Sequence, residues 1–269
     1  MKKIIYCIMF ISLLYISSFS SLLGNRILED TVPVSGISDL SADLIVADLT
    51  LSGNGNNTIN YKYEDDNAST FNISKRNSLI YIKEEKKSFF GPISGKNKFF
   101  YVSLENSLNS FDFSMTTSDL IVENISVEKI SGKITTGDVK ISSLISDNSD
   151  IKTTTGSIEV YKSDFENLRL ETTTGRISTE QINTEYLYLR STTGRIYANL
   201  SNTPEEIYIK ATTGSITLEL PDINLYSIEC TATTGRIEVG NYSVKKHFYK
   251  DGGKYKLKIE TTTGNIKIK

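Results

Sequence analysis

Tryptophan is absent from the 269-residue chain, histidine occurs once, proline four times and cysteine twice. Each shortage closes off a class of protein. The single His247 cannot by itself build a metal cluster or a catalytic triad, and no cofactor is expected. Cys7 lies in the N-terminal apolar run, so the rest of the chain holds only Cys230 and cannot close an internal disulfide, even in an oxidising compartment. Stability must come from packing and backbone pairing. A net charge of −2 leaves no basic surplus for nucleic acid, which is excluded as a partner. Long apolar runs are missing with one exception: Lys2 and Lys3 precede Ile4 to Ile16, and serines follow. That layout is an export signal. Leu22 and Leu23 extend it towards the roughly 20 residues that span a bilayer. Residues 1–24 therefore read as a signal peptide or an N-terminal anchor, the only segment expected to touch a membrane.

Threonine is plentiful and ordered. Thr-Thr-Gly occurs seven times, ending at Gly137, Gly156, Gly175, Gly194, Gly214, Gly235 and Gly264, at intervals of 19, 19, 19, 20, 21 and 29 residues. A degraded copy, Thr116-Thr117-Ser118, sits 19 residues earlier. A fixed period near 20 is the mark of a solenoid, whose units bury their apolar faces only by stacking. The second residue after each mark is Leu120, Val139, Ile158, Ile177, Ile196, Ile216, Ile237 or Ile266, and the fourth is mostly aliphatic. Polar residues alternate between them, as in a half-buried strand. Before the mark, positions minus seven and minus five are mainly apolar (Leu168 and Leu170, Leu187 and Leu189), and minus three is small (Thr172, Ser191, Ala211).

Inward positions are thus odd before each glycine and even after it. A regular strand cannot change parity, whereas a corner with positive φ can, and glycine adopts it without steric cost. The seven glycines are read as corners. The expected fold is all-β: a parallel β-solenoid of 19–21-residue coils, right-handed as connected parallel strands usually are. Residues 25–110, with strand-like runs at 44–51, 58–63, 79–83 and 99–104, are expected to form irregular β-coils that cap the repeat region 111–269. An insertion at about 240–256 should fold over the C-terminal end. The terminal strand Asn265 to Lys269 is then the outer edge, guarded by its lysines.

Candidate binding residues lie outside this scaffold. The first residue after each glycine is polar, and Arg176, Arg195 and Arg236 occupy that row, with Arg176 and Arg195 on adjacent rungs. Lys245, Lys246 and Lys250 belong to a lysine- and tyrosine-rich C-terminal stretch. Together these form a candidate surface for anionic envelope polymers or surface proteins. The outward row next to the exposed threonines carries Lys152, Glu171, Arg190 and Lys210, which breaks the flat threonine array an ice-binding face needs. Acidic residues are scattered, with no paired-carboxylate site evident.

Gly-Asp-Val at 137–139, Ser-Asp-Leu at 118–120 and Gly-x-Ile in the other coils resemble the repeat of the bacterial putative adhesin family, exported strand-repeat domains of unknown function. The resemblance covers about residues 36–269. Here Ser or Arg replaces most of the aspartates. The resemblance implies a β-solenoid at the cell envelope, with no catalytic residues to carry over. The expected function is a non-enzymatic, exported, adhesin-like surface. The alternatives are an accessory of an envelope-stress response and a polysaccharide lyase or hydrolase on a β-helix.

Overall fold

The computed structural model describes residues 26–269 apart from 54, 66–67, 88–97 and 106. The segment read as signal or anchor, and the Gly91-Pro92 turn, lie outside the described residues. The described residues form 23 strands joined in one sheet, with a single 3-10 turn at Ile223–Leu225 and no α-helix.

Each repeat contributes one longer strand ending in Thr-Thr and one short strand after the glycine. In chain order, strands β1 to β7 span Arg26–Pro33, Asp39–Leu44, Asp48–Gly53, Thr58–Asp65, Ser69–Arg76, Leu79–Lys86 and Lys98–Leu104. The repeat pairs follow as β8 (Leu108–Thr117) and β9 (Leu120–Glu123), β10 (Val127–Thr136) and β11 (Val139–Ser142), β12 (Ile145–Thr155) and β13 (Ile158–Tyr161), then β14 (Asp164–Thr174) and β15 (Ile177–Ile182). After these come β16 (Tyr186–Thr193) and β17 (Ile196–Leu200), β18 (Glu206–Thr213) and β19 (Ile216–Glu219), and β20 (Tyr226–Val239), which carries both halves of its coil. The last strands are β21 (Tyr242–Lys250), β22 (Tyr255–Thr263) and β23 (Ile266–Ile268). Long strands stack on long and short on short, all parallel and in register but for a slip between β15 and β17 after Thr179, so that Leu168, Leu187, Ile207 and Leu257 form one column. The inward columns make a single continuous core.

The seven glycines have φ between 142° and 154°. A second constraint is steric: a Cβ on Gly194 would stand 1.7 Å from the carbonyl oxygen of Gly175, and one on Gly175 would stand 1.9 Å from that of Gly156. Both threonines before each glycine are exposed, and burial resumes two residues after it. The small residue at minus three has a polar task as well. Thr172 Oγ1 donates to the Gly156 carbonyl at 3.1 Å, and Ser191 and Thr261 do the same for Gly175 and Gly214. A further corner, silent in the glycine pattern, falls six residues after the mark, where Asn124, Ser143, Lys162 and Gln181 have φ of 46° to 56°.

Stacking order departs from sequence order at both ends. β22 pairs with β18 on one side and β20 on the other, and β23 lies between β19 and β20. The coil that is last in sequence is therefore second to last in space. The expected edge role of Lys267 and Lys269 is thereby corrected: they sit on an interior rung, paired with Glu238 at 3.6 Å and Glu219 at 2.7 Å. The outer edge belongs to β20, and β21 covers it as an antiparallel partner. The strand β21, from within the long Gly235–Gly264 interval, covers the end of the stack over β20 and not over the strand that is last in sequence.

The N-terminal end repeats the device. β2 and β3 form a coil held between β8/β9 and the outer pair β6/β7, so it is a rung of the stack and not only a cap. The run 44–51 is accordingly two strands around a corner. Antiparallel β5 closes β6, and β4 then β1 close β7. The corner at 45–47 has no glycine. Instead Glu84 Oε2 accepts the N–H groups of Ile45, Val46 and Ala47 at 2.9, 2.8 and 3.1 Å. Its other oxygen accepts from Tyr63 at 2.8 Å and Ser69 at 3.1 Å, and the fully buried Lys98 ammonium stands 4.0 Å away. A buried carboxylate survives only with such a donor set. Counted along the strands edge to edge, β1 to β21 is twelve steps of about 4.8 Å, or about 58 Å.

Candidate functional site

Over its C-terminal half, the face built by the long strands pairs its charges from rung to rung. Glu171 accepts both Nε and Nη2 of Arg169, at 2.9 and 2.7 Å, and Lys152 lies within 3.6 Å of it. The Arg169 guanidinium also covers the Tyr188 ring at 3.9 Å, and Tyr188 stacks on Tyr208 at 5.2 Å. Further along, Glu260 binds Lys210 at 2.8 Å, Lys258 at 3.1 Å and the Tyr208 hydroxyl at 3.1 Å. These partners, Lys210 foremost, pull the Glu260 carboxyl down to about 2. From β14 to β22 the rings are stacked and the ions paired, whereas nearer the N-terminal end a shallow hollow of about 490 Å³ crosses β2, β8, β10 and β12, with Asp43, Asp112, Lys133 and Asp150 in its lining.

The row after the glycines divides into two kinds. Asp48 accepts the Asp119 N–H at 2.8 Å, Asp119 that of Asp138 at 2.8 Å, and Asp138 that of Ser157 at 2.7 Å. Asn265 does the same for Arg236 at 2.9 Å. The acidic residue of the repeat is thus a rung-to-rung tie. Burial raises the Asp48 carboxyl despite that bond. Where arginine takes the position no acceptor remains, and the side chain turns to other partners. Arg176 and Arg195 stand on neighbouring rungs, in register through Ile177 and Ile196. Arg176 is neutralised by Glu159 at 2.9 Å, whereas Arg195 is exposed and has no partner among the described residues. Arg236 is not adjacent to them, because the coils of Ser215 and Asn265 intervene. The three arginines therefore do not form one surface.

On the face of the short strands, a groove of about 470 Å³ runs across β11, β13 and β15. Its walls carry Lys140, Glu159, Arg176 and Glu180. Tyr161 and Ile121, 43% and 37% exposed, supply apolar area. Sequence reading passed over this site because its residues are two apart on different rungs.

At the C-terminal end, β21 lies antiparallel on β20 with Val244 and Phe248 packed against the core. Lys245, Lys246, Tyr242 and Tyr249 point to solvent, the tyrosines 67% and 62% exposed. The nearest carboxylates on β20 are engaged elsewhere, Glu229 with Lys258 at 3.6 Å and Glu238 with Lys267 at 3.6 Å. Among the described residues Lys245 and Lys246 have no carboxylate partner, Lys250 reaches the Asn224 carbonyl, and Arg236 bonds the Ser243 hydroxyl. Four cations thus share one outer edge.

A family model described as Toastrack DUF4097 matches residues 37–269. The chain belongs to that family. Among solved structures, a putative adhesin from Bacteroides fragilis NCTC 9343 is similar over 91% of this chain and 98% of its own, with a TM-score of 0.62 and 14% identity. A putative adhesin from Parabacteroides distasonis ATCC 8503 covers 90% of this chain and 97% of its own, at TM-score 0.48 and 10% identity. At such identities the first likeness establishes the fold alone. No curated protein matches the chain.

This Toastrack chain shows no group of three or more metal-ligating side chains among its described residues. Nor does any described helix have the length and apolarity to cross a membrane. Cys230 is buried, and burial pushes its thiol up to about 12, which makes it a core residue rather than a nucleophile.

Proposed function

We propose that this protein is a non-enzymatic, exported, adhesin-type solenoid that holds anionic envelope polymers at its C-terminal edge. The observation that carries the reading is β21: among the described residues Lys245, Lys246 and Lys250 lack carboxylate partners, while Glu229 and Glu238 are paired with the adjacent coil and Asp251, beside Lys250, accepts from Gly252 N–H and the Ser227 hydroxyl. Ions paired side by side attract little, whereas unpaired like charges on one edge build a field that reaches a polyanion. Exposed Tyr242 and Tyr249 add contact area beside them. The putative adhesins among the structural neighbours support a surface role. If residues 1–24 anchor the chain, β1 begins next to the membrane and β21 stands about 58 Å away along the stack. Catalysis has less support: of the two carboxylates in the groove, Glu159 is held by Arg176.

The test is retention of the soluble 25–269 fragment on anionic cell-wall polymer and on anionic vesicles, at low and high salt. Wild type should bind and be released by salt. The triple variant Lys245→Gln, Lys246→Gln, Lys250→Gln should not bind. Unchanged retention of the triple variant would overturn the proposal.

A further inference from the structure

We infer that the groove across β11, β13 and β15 is a second, separate binding site, for an uncharged oligosaccharide. The argument starts from its charge. Arg176 and Glu159 form an ion pair at 2.9 Å, and Lys140 and Glu180 add one charge of each sign, so the lining is neutral as a whole. Such a groove has no net attraction for the polyanions that suit β21. It is nonetheless rich in unused hydrogen-bonding capacity. A guanidinium carries five N–H donors and a carboxylate about four acceptor sites, and the ion pair uses only a fraction of them. The side chains of Lys140 and Glu180 make no hydrogen bond or ion pair among the described residues, their backbones being held in the ladder. Donors and acceptors therefore alternate over neighbouring rungs about 4.8 Å apart. A pyranose ring meets this pattern, since each of its hydroxyls both donates and accepts.

The apolar wall points the same way. Tyr161 lines the groove and Ile121 lies on the same face, while the Lys162 ammonium, which is not part of the lining, covers one side of the Tyr161 ring at 4.9 Å and leaves the other side for a ligand. Sugars have apolar C–H faces that pack on aromatic rings, and an aromatic side chain with a wet polar end suits such an amphipathic ligand. The volume, about 470 Å³, falls within the range of small-molecule sites. Charged walls disfavour a purely apolar ligand, whose binding would strip water from four ions without replacing it. The floor is also rigid. β11, β13 and β15 are each hydrogen-bonded on both sides, so little ordering is needed on binding.

The experiment is calorimetric titration of the full-length protein with chitohexaose, cellohexaose, maltohexaose and mannohexaose, beside oligogalacturonate as a charged control. At least one neutral hexasaccharide should bind saturably. Its affinity should change less than about twofold between roughly 0.05 and 0.5 M salt, because no net charge is neutralised. Tyr161→Ala and Glu180→Gln should each weaken binding by about tenfold or more, with unfolding temperatures unchanged because both side chains are exposed. The triple β21 lysine variant should bind as wild type does, which keeps this site distinct from the polyanion edge. The inference is overturned if no neutral hexasaccharide binds, if oligogalacturonate is preferred, or if both groove variants bind normally. Cleavage of the sugar would likewise overturn a binding-only site.

Discussion

Replacing Gly175 by alanine puts the corner geometry to a quantitative trial. The added Cβ would lie 1.9 Å from the Gly156 carbonyl oxygen, so the two rungs must separate by more than 1 Å to reach even 3.0 Å. Two ladder bonds hold this contact, Gly156 N–H to Thr174 O at 2.9 Å and Ile158 N–H to Arg176 O at 2.9 Å. Losing both costs about 2 kcal/mol net. Overpacking a filled space adds about 1 to 2 kcal/mol. A φ of 153° in an L-residue adds a similar amount. The total is about 4 to 6 kcal/mol. Gly240→Ala is the control for an ordinary left-handed glycine, since Gly240 has φ 55° and its Cβ would meet nothing within 4 Å. Its cost should stay near 1 kcal/mol. Guanidinium unfolding followed by circular dichroism reads the difference as a shift in midpoint, with the slope checked because repeat arrays lose cooperativity. Equal midpoints for the two variants would refute the claim that the corner, through its rung contact and its φ together, demands glycine more than an ordinary left-handed turn does.

Thr179→Val should stabilise the protein by about 1 kcal/mol, since the fully buried Thr179 hydroxyl has no hydrogen-bond partner among the described residues and other coils carry an aliphatic residue in this column; a lower thermal midpoint would contradict this. Glu260→Gln should cost about 1 kcal/mol at pH 7, a value discounted for the solvent around a partly exposed cluster. The Glu260 carboxyl falls from 4.5 to about 2 on folding, so its contribution is complete above pH 4.5 and fades as pH drops towards 2. Wild-type and variant stabilities, measured from pH 7 down to pH 2, should therefore converge.

The inward columns were legible because burial fixes side-chain parity. Leu168, Leu187 and Ile207 can face only one way, and the parity change across each glycine demands a corner. The stacking order was not legible, because the coils present nearly the same edge to one another. Nothing in Thr-Thr-Gly says whether Gly264 follows Gly235 or precedes it in space. The 29-residue interval was the one clue: it supplies enough chain for β21 to cover β20 and for β22 to return inside. Glu84 and Lys98 could have been noticed, since they continue the inward alternation of Ile80 and Ile82 and of Phe100 and Val102. A charge on an inward position signals a buried polar cluster. The loss of Arg176 from the anion surface depended on Glu159 reaching it from another rung, a side-chain choice that spacing does not set.

The claim on which the account rests is that β21, and not the chain terminus, forms the end of the stack. Thr217, Lys267 and Glu238 occupy one outward row, with Thr217 paired to Lys267 and Lys267 to Glu238. Neighbouring rungs lie within disulfide reach, whereas residues two rungs apart, at about 9.6 Å, do not. Cysteine pairs Thr217→Cys with Lys267→Cys and Thr217→Cys with Glu238→Cys separate the two orders under mild oxidation, while the buried Cys230 stays out of the exchange. The account predicts a crosslink for the first pair only; a crosslink for the second pair and none for the first would mean that the coils stack in sequence order.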